Sequence, residues 1–349
     1  MNFIFAILLF SSILNGSTSL KLTKRENFEL KKNCGRFVRG YNTAEKEDEF
    51  DDQFKVLYGV DAKIGEAPWA VSLVTKKKDI SGRIHEGYYN QHGTGSLISP
   101  YHVVTAAHLV GLSTDPPPNC ETGDMENAYF MKKTNEFAAF LNVTCATKEM
   151  CDQLGRKETF EPYGIKSLYI RKGYVGDGCT DKESYNDLAV FELDRPVPFS
   201  NTVYPLCLPT TRTPPETGDT GYRLYGYGRD PSNKSAQSGV LRSLKSAVSD
   251  CSDELDIGGI FCTSAPNKGL SCDGDSGSGV VRRRMNSRAN ELAGVLSAGV
   301  NCVNLLGTHQ QERRRMRTLT QETDVLIDVS AHLDFFCRCC GLCRGNGRK

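Results

Sequence analysis

Short β-type runs dominate residues 56 to 300, and no long amphipathic helix interrupts them. They read "APWAVSLV", "GSLISPYHVVTAAH", "SLYI", "DLAVFEL", "GYRLYGYG" and "GVLSAGV", with turn residues between them. Strands at this spacing, with no alternating βα units, exclude a doubly wound sheet and predict an all-β barrel or sandwich. A helix is expected only near the C-terminus. There "TDVLIDVSAHLDFF" puts Leu326, Val329, Leu333 and Phe336 at helical spacing. No internal repeat is present.

The chain has 14 cysteines among 349 residues, many for a reducing compartment. The N-terminus accounts for them. "MNFIFAILLFSSILNGSTSL" is an apolar run followed by small residues, too short to span a bilayer, and reads as a signal peptide over 1–19 cut near Ser19. A secreted, disulfide-bonded protein follows, with sequons at Asn142 and Asn233 as candidate glycosylation sites. Residues 20–55 are polar and carry "EKEDEFDDQ" at 45–53, the character of a pro-segment rather than a core-forming unit. Lys plus Arg, 43, nearly cancels Asp plus Glu, 42, so bulk charge points to neither nucleic acid nor membrane. A cysteine-rich tail, 337–349, closes the chain.

The candidate chemistry centres on "SCDGDSGSGV" at 271–280. Gly, Asp and Ser also make ordinary turns, so Ser276 needs a base, an orienting acid and an oxyanion site before it reads as a nucleophile. "VVTAAHLV" supplies His108 at the end of an apolar strand, and "YNDLAVFEL" supplies Asp187 before another. The order His, Asp, Ser is that of the chymotrypsin template. Asp187 and Ser276 are 89 residues apart in the numbering, close to the template's separation of about 93. His108 and Asp187 are 79 apart against about 45 there, an excess that holds "STDPPPNCETGD" and "TCATKEMC" and reads as surface loop.

With these blocks, "KVLYGVDAKIGEAPWAVSL", "PLCLP", "GYG", "IFCTSA", "LSAG" and "DVSAHLDFF", the chain resembles the trypsin/chymotrypsin-type serine proteases over residues 55–336. The leader and loop lengths are most similar to a nematode branch of secreted trypsin-like proteins. The resemblance implies two six-stranded antiparallel β-barrels with a C-terminal α-helix, and a protease domain over 56–336. It implies His108 as general base, Asp187 as its orienting acid and Ser276 as nucleophile, with Gly274 and Ser276 N–H groups as oxyanion donors. It also implies a zymogen cut after Lys55, whose freed Val56 amine pairs with Asp275. "RFVRGYN" at 36–42 lies at the wrong distance from Pro68 and Trp69 for that role.

The same resemblance implies bridges Cys34–Cys207, Cys251–Cys262 and Cys272–Cys302. Two family bridges are absent as whole pairs, with Gly93 and Leu109 at one and Tyr222 and Arg282 at the other. Cys120, Cys145, Cys151, Cys179, Cys337, Cys339, Cys340 and Cys343 remain, and their connectivity stays open. Zinc ligation in the tail is weighed against disulfides, which a secreted chain favours, so no metal and no cofactor are expected.

The specificity pocket would be built by Leu270, Ser297, Gly299 and Asp324. Leu270 stands six residues before Ser276, and against it a substrate Lys or Arg would lose hydration unpaired. Cleavage after large apolar or aromatic residues is therefore expected, with Asp324 read as facing solvent; the alternative is an inward carboxylate that pairs with a basic substrate residue and reverses the preference. Ala298 replaces a usual large aromatic, and Ser278 and Gly279 break the common "GDSGGP" run. The basic stretch "THQQERRRMRTLTQET" reads as a solvated loop rather than an anion exosite. Protein or peptide substrates, an activating protease and serpin-type inhibitors are the expected partners of a monomer. The competing function is a catalytically impaired homologue acting by binding. A lipase-like hydrolase is excluded by the triad order and by Ser278, which breaks the G-x-S-x-G elbow.

Overall fold

In the computed structural model, residues 20–36, 60–114, 128–130, 133–171, 186–229, 239–251, 258–265, 271–284, 287, 289–299 and 323–344 are described. Apolar runs become strands where both faces are covered. The segments β2 (Ala70–Lys78), β3 (Ile84–Leu97), β4 (His102–Thr105), β7 (Phe137–Leu141), β8 (Tyr163–Ile170) and β9 (Ala189–Leu193) close into an antiparallel barrel in the order β2-β3-β4-β9-β8-β7. A short β1 (Val60–Asp61) precedes it, and β5 (Leu112–Thr114) with β6 (Ala128–Phe130) forms a separate ribbon. The second barrel uses β10 (Tyr222–Gly226), β11 (Arg242–Ser249), β12 (Ile260–Ser264), β13 (Gly279–Arg283), β14 (Asn290–Ala298) and β15 (Asp324–Asp328). Its order β11-β10-β13-β14-β15-β12 is closed by the β11–β12 pairing, and β1 adds to β11. The two six-stranded barrels expected from the sequence are present.

Aromatic contacts join them. Trp69, 1% exposed, meets Tyr225 of β10 edge-on with ring centroids 5.8 Å apart. Burying a ring of that size contributes about 4–6 kcal/mol. Tyr227 donates its hydroxyl to Val143 O at 2.8 Å across the same seam.

Three local expectations change. Leu326 belongs to β15, not to a helix; Val325, Leu326 and Ile327 pair with β12 and β14, and strand pairing overrides the helical spacing. The helix α3 (Leu333–Cys340) begins after a 3₁₀ turn and crosses the 336/337 boundary into the cysteine-rich tail. "TCATKEMC" is no open loop either. Thr147 caps α2 (Lys148–Gln153), Cys145–Cys151 clamps it, and both sulfurs are buried.

Residues 20–36 also do more than their polar composition implies. The helix α1 (Lys24–Asn33) starts with a Thr23/Glu26 capping box. Leu22 joins the main core, its N–H donating to Cys340 O at 2.9 Å. Gly35 exchanges two main-chain hydrogen bonds, donating to Pro205 O and accepting from Asn290 N.

Among the described residues Cys34–Cys207 and Cys251–Cys262 form as the family pattern implies. Cys272 is disulfide-bonded, while its expected partner Cys302 lies outside the described residues, as do Cys120 and Cys179. Cys337–Cys343 and Cys339–Cys340 complete the described tail.

The two missing bridges have been replaced differently. A Cβ built on Gly93 would lie 2.5 Å from Leu109 Cδ1, so the Leu109 side chain fills the first site. At the second, Arg282 Nη1 donates to the Tyr222 hydroxyl at 3.2 Å and is held in turn by Glu291. Tyr222→Phe leaves this half-buried guanidinium one partner short. A loss of about 1 kcal/mol is expected, read as a lower urea midpoint at unchanged slope.

Candidate active site

His108 sits on a 3₁₀ turn directly after β4, and Asp187 immediately precedes Leu188 and β9. Since β4 and β9 pair antiparallel with Thr105 opposite Ala189, the two side chains leave the same end of the barrel. Asp187, 3% exposed, accepts from His108 twice. Main-chain N reaches Oδ1 at 2.8 Å and Nδ1 lies 2.7 Å from Oδ2. An ionised carboxylate only accepts, so Nδ1 carries the hydrogen and Nε2 is left as the basic nitrogen. The Ser297 hydroxyl gives a third bond, to Oδ2 at 2.6 Å. Ser297, expected among the substrate-binding residues, thus spends its side chain orienting Asp187.

Ser276 arrives from the second barrel on the loop before β13. Its carbonyl accepts from Thr94 N at 2.9 Å, and that same oxygen would be 3.1 Å from a Cβ on Gly93. Leu109, next to His108, crowds Gly93 from the other side. Gly277 packs so tightly that a Cβ there would lie 3.0 Å from Ala106 N, and its N–H donates to Leu296 O at 2.9 Å. The loop is therefore wedged between the strand leading to His108 and the strand carrying Ser297.

Gly274 adopts φ +94°, which a side chain would strain, and its carbonyl is tied down by Thr94 Oγ1 at 3.0 Å. Among the described residues no main-chain carbonyl accepts the Gly274 or Ser276 N–H. Beside them lies a cleft of about 510 Å³ lined by Gln91, His92, Met150, Arg229, Asp273 and Gly274. Gln91 and Thr94 are contributions that motif reading missed. Gln91 donates to Tyr227 O and Thr94 Oγ1 accepts from Tyr227 N, bracing the wall behind the loop.

Asp275 is buried, its Oδ1 accepting from Gly228 N at 2.7 Å and its Oδ2 from Cys272 N at 2.9 Å. Burial raises its pKa to about 7 against the pull of those two N–H groups. Lys55, Val56 and Leu270 lie outside the described residues.

Asp324 corrects the solvent-facing expectation. It is 3% exposed, because β15 is paired on both sides and its first residue points into the barrel end. Oδ1 accepts from Ser271 Oγ at 2.5 Å and from Ser271 N at 3.3 Å. A Cβ on Gly299 would lie 2.9 Å from that oxygen, so Gly299, Ser271 and Asp324 share one small space. Burial lifts the carboxyl to about pH 6, opposed by the Ser271 bonds. Asn142 is exposed on a bend after β7, while Asn233 lies outside the described residues.

Residues 143–307 match the family model for trypsin. The match spans Asp187 and Ser276 but not His108, whose place rests on the geometry above. Phenoloxidase-activating factor 3 of Holotrichia diomphalia is 28% identical over 284 residues, 77% of this chain and 72% of that protein. Serine protease grass of Drosophila melanogaster is 25% identical over 273 residues, covering 76% of this chain and 60% of the relative. CLIP domain-containing serine protease B4 of Anopheles gambiae is 24% identical over 259 residues, covering 70% and 63%. The alignments thus span between 60% and 72% of these relatives' lengths.

Proposed function

We propose that this protein is a secreted serine endopeptidase, made with a leader and a pro-segment and activated by cleavage after Lys55. The observation that carries the reading is the double contact of His108 with buried Asp187 beside the wedged Ser276 loop. In this reading the Ser276 hydroxyl attacks the scissile carbonyl and His108 Nε2 takes its proton. The Gly274 and Ser276 N–H groups stabilise the oxyanion, and His108 then protonates the leaving amine. Asp187 holds the ring and stabilises the imidazolium. Cys34–Cys207 keeps residues 20–36 attached after cleavage. Protein substrates, an activating protease, serpin-type inhibitors and a monomeric state complete the proposal, with a leader closest in character to nematode relatives. The test is a fluorophosphonate probe on chain cleaved after Lys55. Labelling mapped to Ser276 supports the enzyme, and none under conditions that label trypsin supports the non-catalytic homologue.

The P1 preference proposed for the pocket is large and apolar, on the strength of Leu270. Asp324 adds a pH-dependent exception. Below its pKa of about 6 the carboxyl is neutral, and above it the charge can meet a Lys or Arg side chain. Relative cleavage of an Arg over a Phe peptide is expected to rise about tenfold from pH 5 to pH 8. Asp324→Asn flattens that ratio. An Arg/Phe ratio that stays constant with pH in the parent enzyme would remove Asp324 from specificity.

A further inference from the structure

Leu20 brings its main-chain nitrogen to 3.1 Å from Glu192 Oε2. Glu192 is wholly buried on β9, the strand that follows Asp187, and a carboxylate removed from water is costly without a strong partner. Lys166, Tyr169 and His102, among the described residues, also face it. Lys166 Nζ is 3.3 Å from Oε1 and the Tyr169 hydroxyl donates to Oε2 at 2.8 Å, both from β8. His102 stands opposite on β4, and burial depresses its pKa to about 4, so it is neutral at physiological pH.

The sequence places small residues Ser17 and Ser19 three and one positions before Leu20, the spacing a leader peptidase accepts. We propose that Leu20 is the mature N-terminus and that its α-ammonium is a second ion-pair partner of Glu192, on Oε2, beside Lys166 on Oε1. Hydrolysis of the Ser19–Leu20 bond by a leader peptidase consumes one water. It leaves a carboxylate on the released leader and, after protonation at neutral pH, an ammonium on Leu20. A neutral amide donor thereby becomes a charge-assisted one at a site already built for it.

The consequence is an anchor. Two residues on, Leu22 is bound to Cys340 O and buried in the main core; Gly35 bonds to Asn290 of β14, and Cys34 is bridged to Cys207. Leader removal would therefore fasten residues 20–36 at their first residue to the barrel that carries Asp187. Activation after Lys55 would leave this fastening untouched. The proposal rests on the leader reading and not on protease activity.

The test uses full-length chain made through a eukaryotic secretory route, with free amines tagged before peptide mass spectrometry. The mature chain is expected to begin at Leu20. Its α-amine is expected to react about tenfold more slowly at pH 8 than that of Glu192→Gln, since one unit of raised amine pKa removes that much free base. Because Glu192→Gln can fail to fold, a second variant inserts one Ala after Ser19, moving the ammonium by a residue. This variant should label fast and melt several degrees lower, with the difference fading as pH rises past the raised amine pKa. A mature N-terminus elsewhere, or equal labelling of parent and Ala-inserted chains, overturns the proposal. Peptide hydrolysis measured on the same samples reports separately on the enzyme reading.

Discussion

Replacing Ser276 by Ala is expected to lower kcat by about 10⁶ after activation while leaving the melting temperature unchanged. In the proposed mechanism, removing the hydroxyl takes away the nucleophile. The loop is held by main-chain bonds from Ser276 O to Thr94 N and from Gly277 N to Leu296 O. His108→Ala should cost a similar factor, and the double variant no more than either alone, because the two groups act in one step. Asp187→Asn is the sharper probe. An amide NH₂ would face Nδ1, favour the opposite tautomer and cost about 10⁴ in kcat at little change in KM. Ser297→Ala deletes only the third bond to Asp187 and should lower kcat by about tenfold, again with KM steady. Measurement is by active-site-titrated kinetics on a fluorogenic peptide, with thermal melts alongside. A Ser276→Ala protein that retains parent activity would remove the triad from the chemistry.

Much of this centre is legible in local sequence because each member lies beside a buried strand. "VVTAAH" and "NDLAVFEL" carry their chemistry at strand ends, and strand pairing does the rest. What motif reading misses are groups whose role depends on register. Asp324 opens a five-residue strand, and its direction follows from pairing with β12 and β14, which no local pattern records. Cysteine absence at 93, 109, 222 and 282 is plain in the sequence, yet the substitutes, a leucine filling a glycine and a guanidinium on a phenol, appear only in three dimensions. Residues 20–36 look dispensable by composition, yet main-chain bonds to Cys340, Pro205 and Asn290 add to the Cys34–Cys207 bridge in holding them, and main-chain bonding leaves no side-chain signature.

Blocking cleavage at Lys55 should give the other large effect. Lys55→Gln is expected to hold activity lower by on the order of 10³, the scale of losing an ordered oxyanion donor. The physical reason lies in Asp275. Its enclosed carboxylate has only Gly228 N and Cys272 N as direct donors among the described residues, and the glycines at 226 and 228 bring no side chain of their own to it. With a folded pKa near 7 and an unfolded one near 3.8, the folded intact chain binds more protons between those values. Its stability therefore falls as pH rises from about 4 to 7. A Val56 ammonium brought beside Asp275 by cleavage would pull that pKa back down and remove the penalty. The cleaved enzyme should then gain on the Lys55→Gln chain between pH 4 and 7. The gain should shrink again above the amine's own pKa, raised from its usual value near 8. Asp275→Asn should abolish the acid-side slope in the intact chain and leave the cleaved chain inactive. Parallel melting curves for cleaved and Lys55→Gln protein across pH 4 to 9 would mean that Asp275 receives no ammonium, and the activation scheme would fall.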